Sequence, residues 1–183
     1  MFWNKFSRSR NWKSFFKRET KGSIAVEGAL LLPVFALLFV GSTTFFQVQR
    51  VDSSYLHAAT TLGDLVTRQI QVTDSTAENL YATAASLVQS TDNFTVVMTS
   101  VSYNAADDKY FVNWSSSNLE GHEFEDDNIQ GFDFPEMDES ESVMLVVVQG
   151  STTPIFDGLF DADVDFFKHT IRRPRFVRLV DRV

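Results

Sequence analysis

The hydrophobic pattern changes period three times along the chain. From Ile24 to Phe46 it is almost continuously apolar, and no side chain from Gly28 to Gln49 is charged. As an α-helix this run of 23 residues is about 34 Å long, against roughly 30 Å of bilayer hydrocarbon. Ser42-Thr43-Thr44 lies near its end, and Pro33 inside it predicts a kink or a loosened preceding turn. The helical period then continues with one apolar face: Val48, Val51, Tyr55, Ala59, Leu62, Val66 and Ile70 recur at three- and four-residue steps, opposite Gln49, Arg50, Ser53, Ser54, Thr60, Asp64 and Thr67. A single helix from about residue 24 to about residue 71 is predicted, apolar all round in its first half and amphipathic in its second.

Ser75-Thr76-Ala77-Glu78 fits a capping box with Ser75 as N-cap. It opens a second helix carrying Ala77, Leu80, Tyr81, Ala84 and Val88 and ending near Ser90, with Thr91-Asp92-Asn93 closing it. At Phe94 the period drops to two. Phe94–Tyr103 and Lys109–Trp114 read as a β-hairpin, with Tyr110, Val112 and Trp114 sharing a face. Ser142–Gln149 is a near-continuous apolar strand, expected at the centre of a sheet. Asp165–Arg172 is the last strand, reached through Pro154-Ile155-Phe156 and Gly158-Leu159-Phe160, whose aromatics are expected to anchor the connection. The fold class is α+β: a long N-terminal helix, a second helix and a four-stranded, largely antiparallel sheet.

Charge adds direction. The chain has 183 residues and a net charge of −8. Residues 1–22 carry seven Lys or Arg and one Glu, a balance of +6, while the remainder carries nine basic and 23 acidic groups, a balance of −14. Basic residues beside an apolar span stay cytoplasmic, so the part beyond the span is expected in the periplasm. Met1–Lys21 interleaves these cations with Phe2, Trp3, Phe6, Trp12, Phe15 and Phe16, which suits a membrane surface better than RNA given the span that follows. The acidic remainder repels phosphates and argues against nucleic acid. Residues 115–141 hold ten carboxylates and no Lys or Arg. They read as a solvated, mobile loop; a calcium site lacks a visible ligand register, and a partner-docking loop is the third reading.

Candidate chemistry is sparse. With no cysteine, a disulfide framework, a thiol nucleophile and a Cys-based zinc site are excluded. His57, His122 and His169 are scattered, and no nucleophile elbow, P-loop or dinucleotide fingerprint occurs. Asp161, Asp163 and Asp165 begin like an EF-hand, but Phe166 replaces its glycine and Arg172 its bidentate glutamate. Asn93-Phe94-Thr95 and Asn113-Trp114-Ser115 are formal glycosylation sequons, read as turn and strand residues. No metal or cofactor is expected, and no enzyme. The Arg172-Arg173-Pro174-Arg175 run reads as a solvated strand end, or as a partner for acidic groups on a neighbour or in the Glu120–Glu141 loop.

One stretch ties the pattern to a function. In Lys21-Gly22-Ser23-Ile24-Ala25-Val26-Glu27-Gly28-Ala29-Leu30-Leu31-Leu32-Pro33, a glycine is followed five residues later by a glutamate at the mouth of the apolar run. This resembles the processing site of type IV prepilins, and over about Gly22–Gln47 it resembles the TadE-like minor pseudopilins of tight-adherence pili. The resemblance implies a leader (1–22), a transmembrane helix (23–47) and a periplasmic domain (48–183). It implies cleavage between Gly22 and Ser23 by a prepilin peptidase, and assembly with other pilins, pseudopilins and the pilus platform. Glycine lacks a Cβ and enters a narrow protease site easily. A carboxylate near the head of a membrane helix is costly unless paired; the resemblance implies pairing of Glu27 with a Ser23 amine between subunits, while a headgroup position near the helix N-terminus is the plainer alternative. A pseudopilin of a type II secretion-like system and an uncleaved, membrane-anchored binding module are the competing functions. A secretory signal peptide competes for the span, but Ala-x-Ala is lacking near its end. Residues 51–183 are expected to fold as a soluble monomer when cut from the span.

Overall fold

A computed structural model describes residues 13–88, 94–139, 141–156 and 163–183, with side chains from Ala25 onward. Thr91-Asp92-Asn93, Gly158-Leu159-Phe160, Asp161 and most of the basic leader lie outside the described residues. Two compact units divide at Thr44, the second being Phe45–Val183.

The elements are α1 (Lys13–Val66), β1 (Gln71–Val72), α2 (Asp74–Val88), β2 (Phe94–Asn104), β3 (Lys109–Ser117), α3 (Asp126–Ile129), β4 (Ser142–Thr152), β5 (Val164–Arg172) and β6 (Asp181–Arg182). The fold is α+β, with a four-stranded antiparallel sheet ordered β3-β2-β4-β5. β4 is central, as its unbroken apolar run predicts, and Val143 to Val148 are all fully buried.

The face of the sheet under α1 and α2 buries Val96, Met98, Met144, Val146, Val148 and Phe166 against Tyr55, Ala59, Leu62, Val66, Leu80 and Ala84. Tyr55 stacks on Phe166 with centroids 5.2 Å apart. The apolar stripe read along the helix is therefore its buried face, with two corrections. α1 ends at Val66, where Thr67 folds its hydroxyl back onto the Gly63 carbonyl at 2.8 Å. Thr67 is fully buried, while Ile70, beyond the helical period, is 67% exposed. Helix α2 is capped by Thr73 rather than Ser75: its Oγ1 accepts the Thr76 N–H at 3.2 Å and its carbonyl accepts the Ala77 N–H at 2.9 Å. Thr73 precedes the acidic Asp74 of the first turn, so the same chemistry operates two residues earlier.

The opposite face holds the largest departure from expectation. The acidic segment 115–141 packs on the sheet: Ile129 and Phe134 are buried against Val97, Val101, Val143, Leu145 and Val147, with Phe124, Phe132 and Met137 beside them. Its first residues extend β3 to Ser117, and α3 forms a single turn. The carboxylates point outward and the apolar residues inward, so composition concealed a covering layer. Asp126 accepts the Val112 N–H at 2.7 Å, and Gln130 donates to the Tyr110 carbonyl at 2.7 Å. These side chains occupy the outer edge of β3, a device that blunts further strand pairing.

A bulge divides β3. Ser100 faces Trp114 and Val101 faces Val112, leaving Asn113 as the extra residue. Its amide donates to Ser102 Oγ at 2.8 Å and Ser100 Oγ at 3.3 Å. Trp114 consequently joins the helix-side core while Tyr110 and Val112 join the loop-side core; strict alternation had placed all three together.

The C-terminal tail is also structural. β6 pairs parallel with β1, Val180 is fully buried, and Trp114 Nε1 donates to the Val180 carbonyl at 2.6 Å. The arginine run is not a free strand end. Arg172 and Arg175 converge on Asp64 of α1, which also receives Arg68 at 2.7 Å. Arg173 pairs with Glu141 at 3.3 Å.

Two predictions follow from the packing. A Cβ at Gly63 would lie 2.6 Å from Thr170 Cγ2, so Gly63→Val should destabilise by about 1–3 kcal/mol through overpacking, seen as a lower urea midpoint. Gly63→Ala should be better tolerated with Thr170→Ser, which removes the opposing methyl. Ile129→Ala should cost about 2–5 kcal/mol for the cavity left, and hydrogen exchange across 124–137 should be slow in the parent chain and accelerate in the variant. Fast exchange there in the parent would restore the mobile-loop reading.

Candidate functional site

The residues singled out for function lie along α1. Gly22, Ser23, Glu27 and Pro33 are on one helix. Gly22 and Glu27 are exposed, and a Cβ at Gly22 would meet nothing within 4 Å. The helix continues through Pro33, whose ring nitrogen cannot donate to the Ala29 carbonyl.

Around this stretch the helix is apolar on every side. Val26, Leu30 to Leu32, Val34, Phe35, Leu37 to Phe39, Phe45 and Phe46 are 52 to 69% exposed. One helix near the N-terminus is thus long and apolar enough to cross a membrane. The threonine hydroxyls inside the run do not oppose this. Thr43 Oγ1 donates to the Phe39 and Val40 carbonyls at 3.0 and 2.9 Å, and Thr44 Oγ1 donates to Val40 at 3.0 Å. Each is satisfied within its own helix, as an apolar surrounding demands.

Comparison with known protein families, with curated proteins and with solved structures finds no match.

Elsewhere an acidic cleft of about 530 Å³ lies between the β2–β3 turn and the end of the acidic segment. Tyr103, Tyr110, Asp108, Glu136, Met137, Asp138, Glu141 and Arg173 line it. Tyr103 donates to Asp108 at 2.6 Å, which raises the Tyr103 phenol above its ordinary value. Arg173 is bound to Glu141 and to the Glu136 carbonyl at 2.5 Å. Tyr103 with Asp108 and Arg173 with Glu141 are thus engaged with one another, and among the described residues no nucleophile–base pair converges there.

The histidines are equally dispersed. His57 contacts Thr61 Oγ1 at 3.2 Å on α1, His122 contacts the Glu120 carbonyl at 3.3 Å, and the His169 ring meets Phe132 edge-on at 5.2 Å. Among the described residues no three His, Asp or Glu side chains gather as a metal set. Asp163 accepts from Thr153 Oγ1 at 2.7 Å, a loop-closing contact.

The exposed apolar length of α1 generates a direct test. Leu38→Arg places a cation mid-span, at about 2.5–3.5 kcal/mol on insertion scales. The parent chain should stay in the membrane pellet after alkaline carbonate washing, and the variant should be released to a substantially greater extent.

Proposed function

We propose that this protein is an assembly component of a type IV pilus-like system, a TadE-like minor pseudopilin of the tight-adherence type. It is made with residues 1–22 as a leader, cut by a prepilin peptidase after Gly22, and held in the inner membrane by a single span. Its α+β domain lies in the periplasm, and it joins other pilins or the assembly platform. The observation that carries this reading is α1 itself. One helix carries Gly22, Ser23 and Glu27 in its first third, runs on through an exposed apolar length, and ends as a scaffold of the α+β domain. An unrelated domain on a simple anchor would not need its anchor helix as part of its core.

Glu27 has a defined chemical task under this reading. Cleavage creates an amine on Ser23, and a neighbour's carboxylate offsets its charge within the membrane. Such a pair is favourable at low dielectric only when both members are present.

Mass spectrometry of the membrane-extracted chain should find a mature N-terminus at Ser23. Replacing Gly22 by a bulky residue should leave the leader attached, with Gly22→Ala impaired less. Glu27→Ala should still be cleaved but should no longer co-purify with the other pilus components. Protease added to spheroplasts should digest residues beyond about 50. A chain starting elsewhere than Ser23 defeats the prepilin reading, and a retained leader favours a membrane-anchored binding module.

A further inference from the structure

The connection leaving β4 departs from what its sequence suggests. Pro154 is buried, but Ile155 is 66% exposed and faces outward, and Phe156, an aromatic expected to anchor the connection, remains 37% exposed. The described part, Ser151–Phe156, has no charged side chain.

This tip is held in place. The Gln47 side-chain amide grips it from α1, its Oε1 accepting the Ile155 N–H at 2.8 Å and its Nε2 donating to the Thr153 carbonyl at 3.5 Å. Thr153 Oγ1 bonds Asp163 across the connection. A braced loop that presents isoleucine and phenylalanine outward retains that apolar surface rather than folding it away.

Gln47 also locates the tip. It directly follows Phe45 and Phe46, the last aromatics of the exposed apolar length, and all of these residues belong to the second unit. A medium that covers Phe46 reaches within one residue of the side chain that holds Ile155.

We propose that the Thr153–Phe156 tip inserts into the interfacial layer of the bilayer crossed by α1, giving the domain a second attachment to lipid. This rests on the reading of α1 as a membrane span. The chemistry suits the position. An aliphatic and an aromatic side chain enter the boundary of headgroups and acyl chains, where apolar contacts are typically buried about 5–10 Å deep. Burying a loop usually strands backbone polar groups, but Gln47 already engages the Thr153 carbonyl and the Ile155 N–H. The polar side chains of Gln47 and Thr153 keep the tip at the interface rather than deeper.

The chain has no cysteine, so single substitutions can each carry one nitroxide label. The full chain would be labelled at Ile155→Cys, Phe156→Cys, Leu38→Cys or Phe176→Cys and reconstituted in vesicles of phosphatidylethanolamine and phosphatidylglycerol. Phe176 is the aqueous control: it is 71% exposed and follows Arg175, which pairs with Asp64, about 25 Å along the helix from Gln47. Spin relaxation by oxygen, which concentrates in lipid, is compared with relaxation by a water-soluble nickel chelate. Labels at 155 and 156 should show an oxygen-to-nickel ratio several-fold above that at 176 and below that at 38. The Ile155 backbone makes the contacts to Gln47, so the substitution spares them, and the second position guards against a local disturbance.

If 155 and 156 match 176 while 38 is in lipid, the span stands and the second attachment is overturned. If 38 is also open to nickel, both readings fall. Exclusion of both reagents from 155 and 156 would mean that a protein surface covers the tip, and would overturn the lipid assignment too.

Discussion

The structure depends on a strand that has no side left for water. Val143 to Val148 of β4 are fully buried on both faces, whereas antiparallel sheets commonly leave one face solvated. Such a strand requires two covers. α1 and α2 supply one, through Tyr55, Leu62, Val66 and Leu80; the acidic segment supplies the other, through Ile129 and Phe134. Nine of the ten acidic side chains in that segment are exposed, Glu141 being half-buried. The segment is acidic because its outer surface meets water, and it is ordered because its inner surface cannot.

The attachment of α1 to the sheet combines close approach with charge. Gly63 lets Thr170 of β5 come against the helix, and Lys168 meets Asp52 at 2.7 Å. Asp64 gathers Arg68, Arg172 and Arg175. All these groups are partly exposed, and exposed ion pairs contribute little to stability. Their effect lies in selecting the register of helix on sheet, while the buried apolar contacts supply the free energy. The tail completes the arrangement by placing Val180 in the core and adding β6 beside β1.

α1 therefore meets two environments with one secondary structure. From Val26 to Phe39, and again at Phe45 and Phe46, its large side chains face outward, and its threonine hydroxyls are satisfied internally; from Tyr55 to Val66 its apolar face is enclosed by protein. The proposed processing site and the proposed lipid contact near Gln47 lie towards the two ends of the outward-facing length. A helix can make this transition without a break because its backbone bonds are internal in either solvent.

Local patterns sufficed for what local physics decides. An uninterrupted apolar run of membrane length, a helical stripe continuing beyond it, two-residue alternation in the hairpin and an all-apolar central strand predicted the α+β architecture, the strand positions and the candidate stretch from Gly22 to Pro33. Gly22, Ser23 and Glu27 could be singled out because their spacing is set within about one and a half helical turns of continuous chain. Features that depend on contacts distant in sequence were not legible. The single bulge at Asn113 turns Trp114 to the other face, and alternation cannot anticipate an extra residue. Ile129 is one apolar residue among carboxylates, and only the uncovered face of β4 gives it a role. Likewise nothing near Ile155 in sequence indicates that Gln47, 108 positions earlier, accepts its N–H. Hydrophobicity marks a side chain as a candidate for burial; tertiary structure decides whether it is covered, and by what.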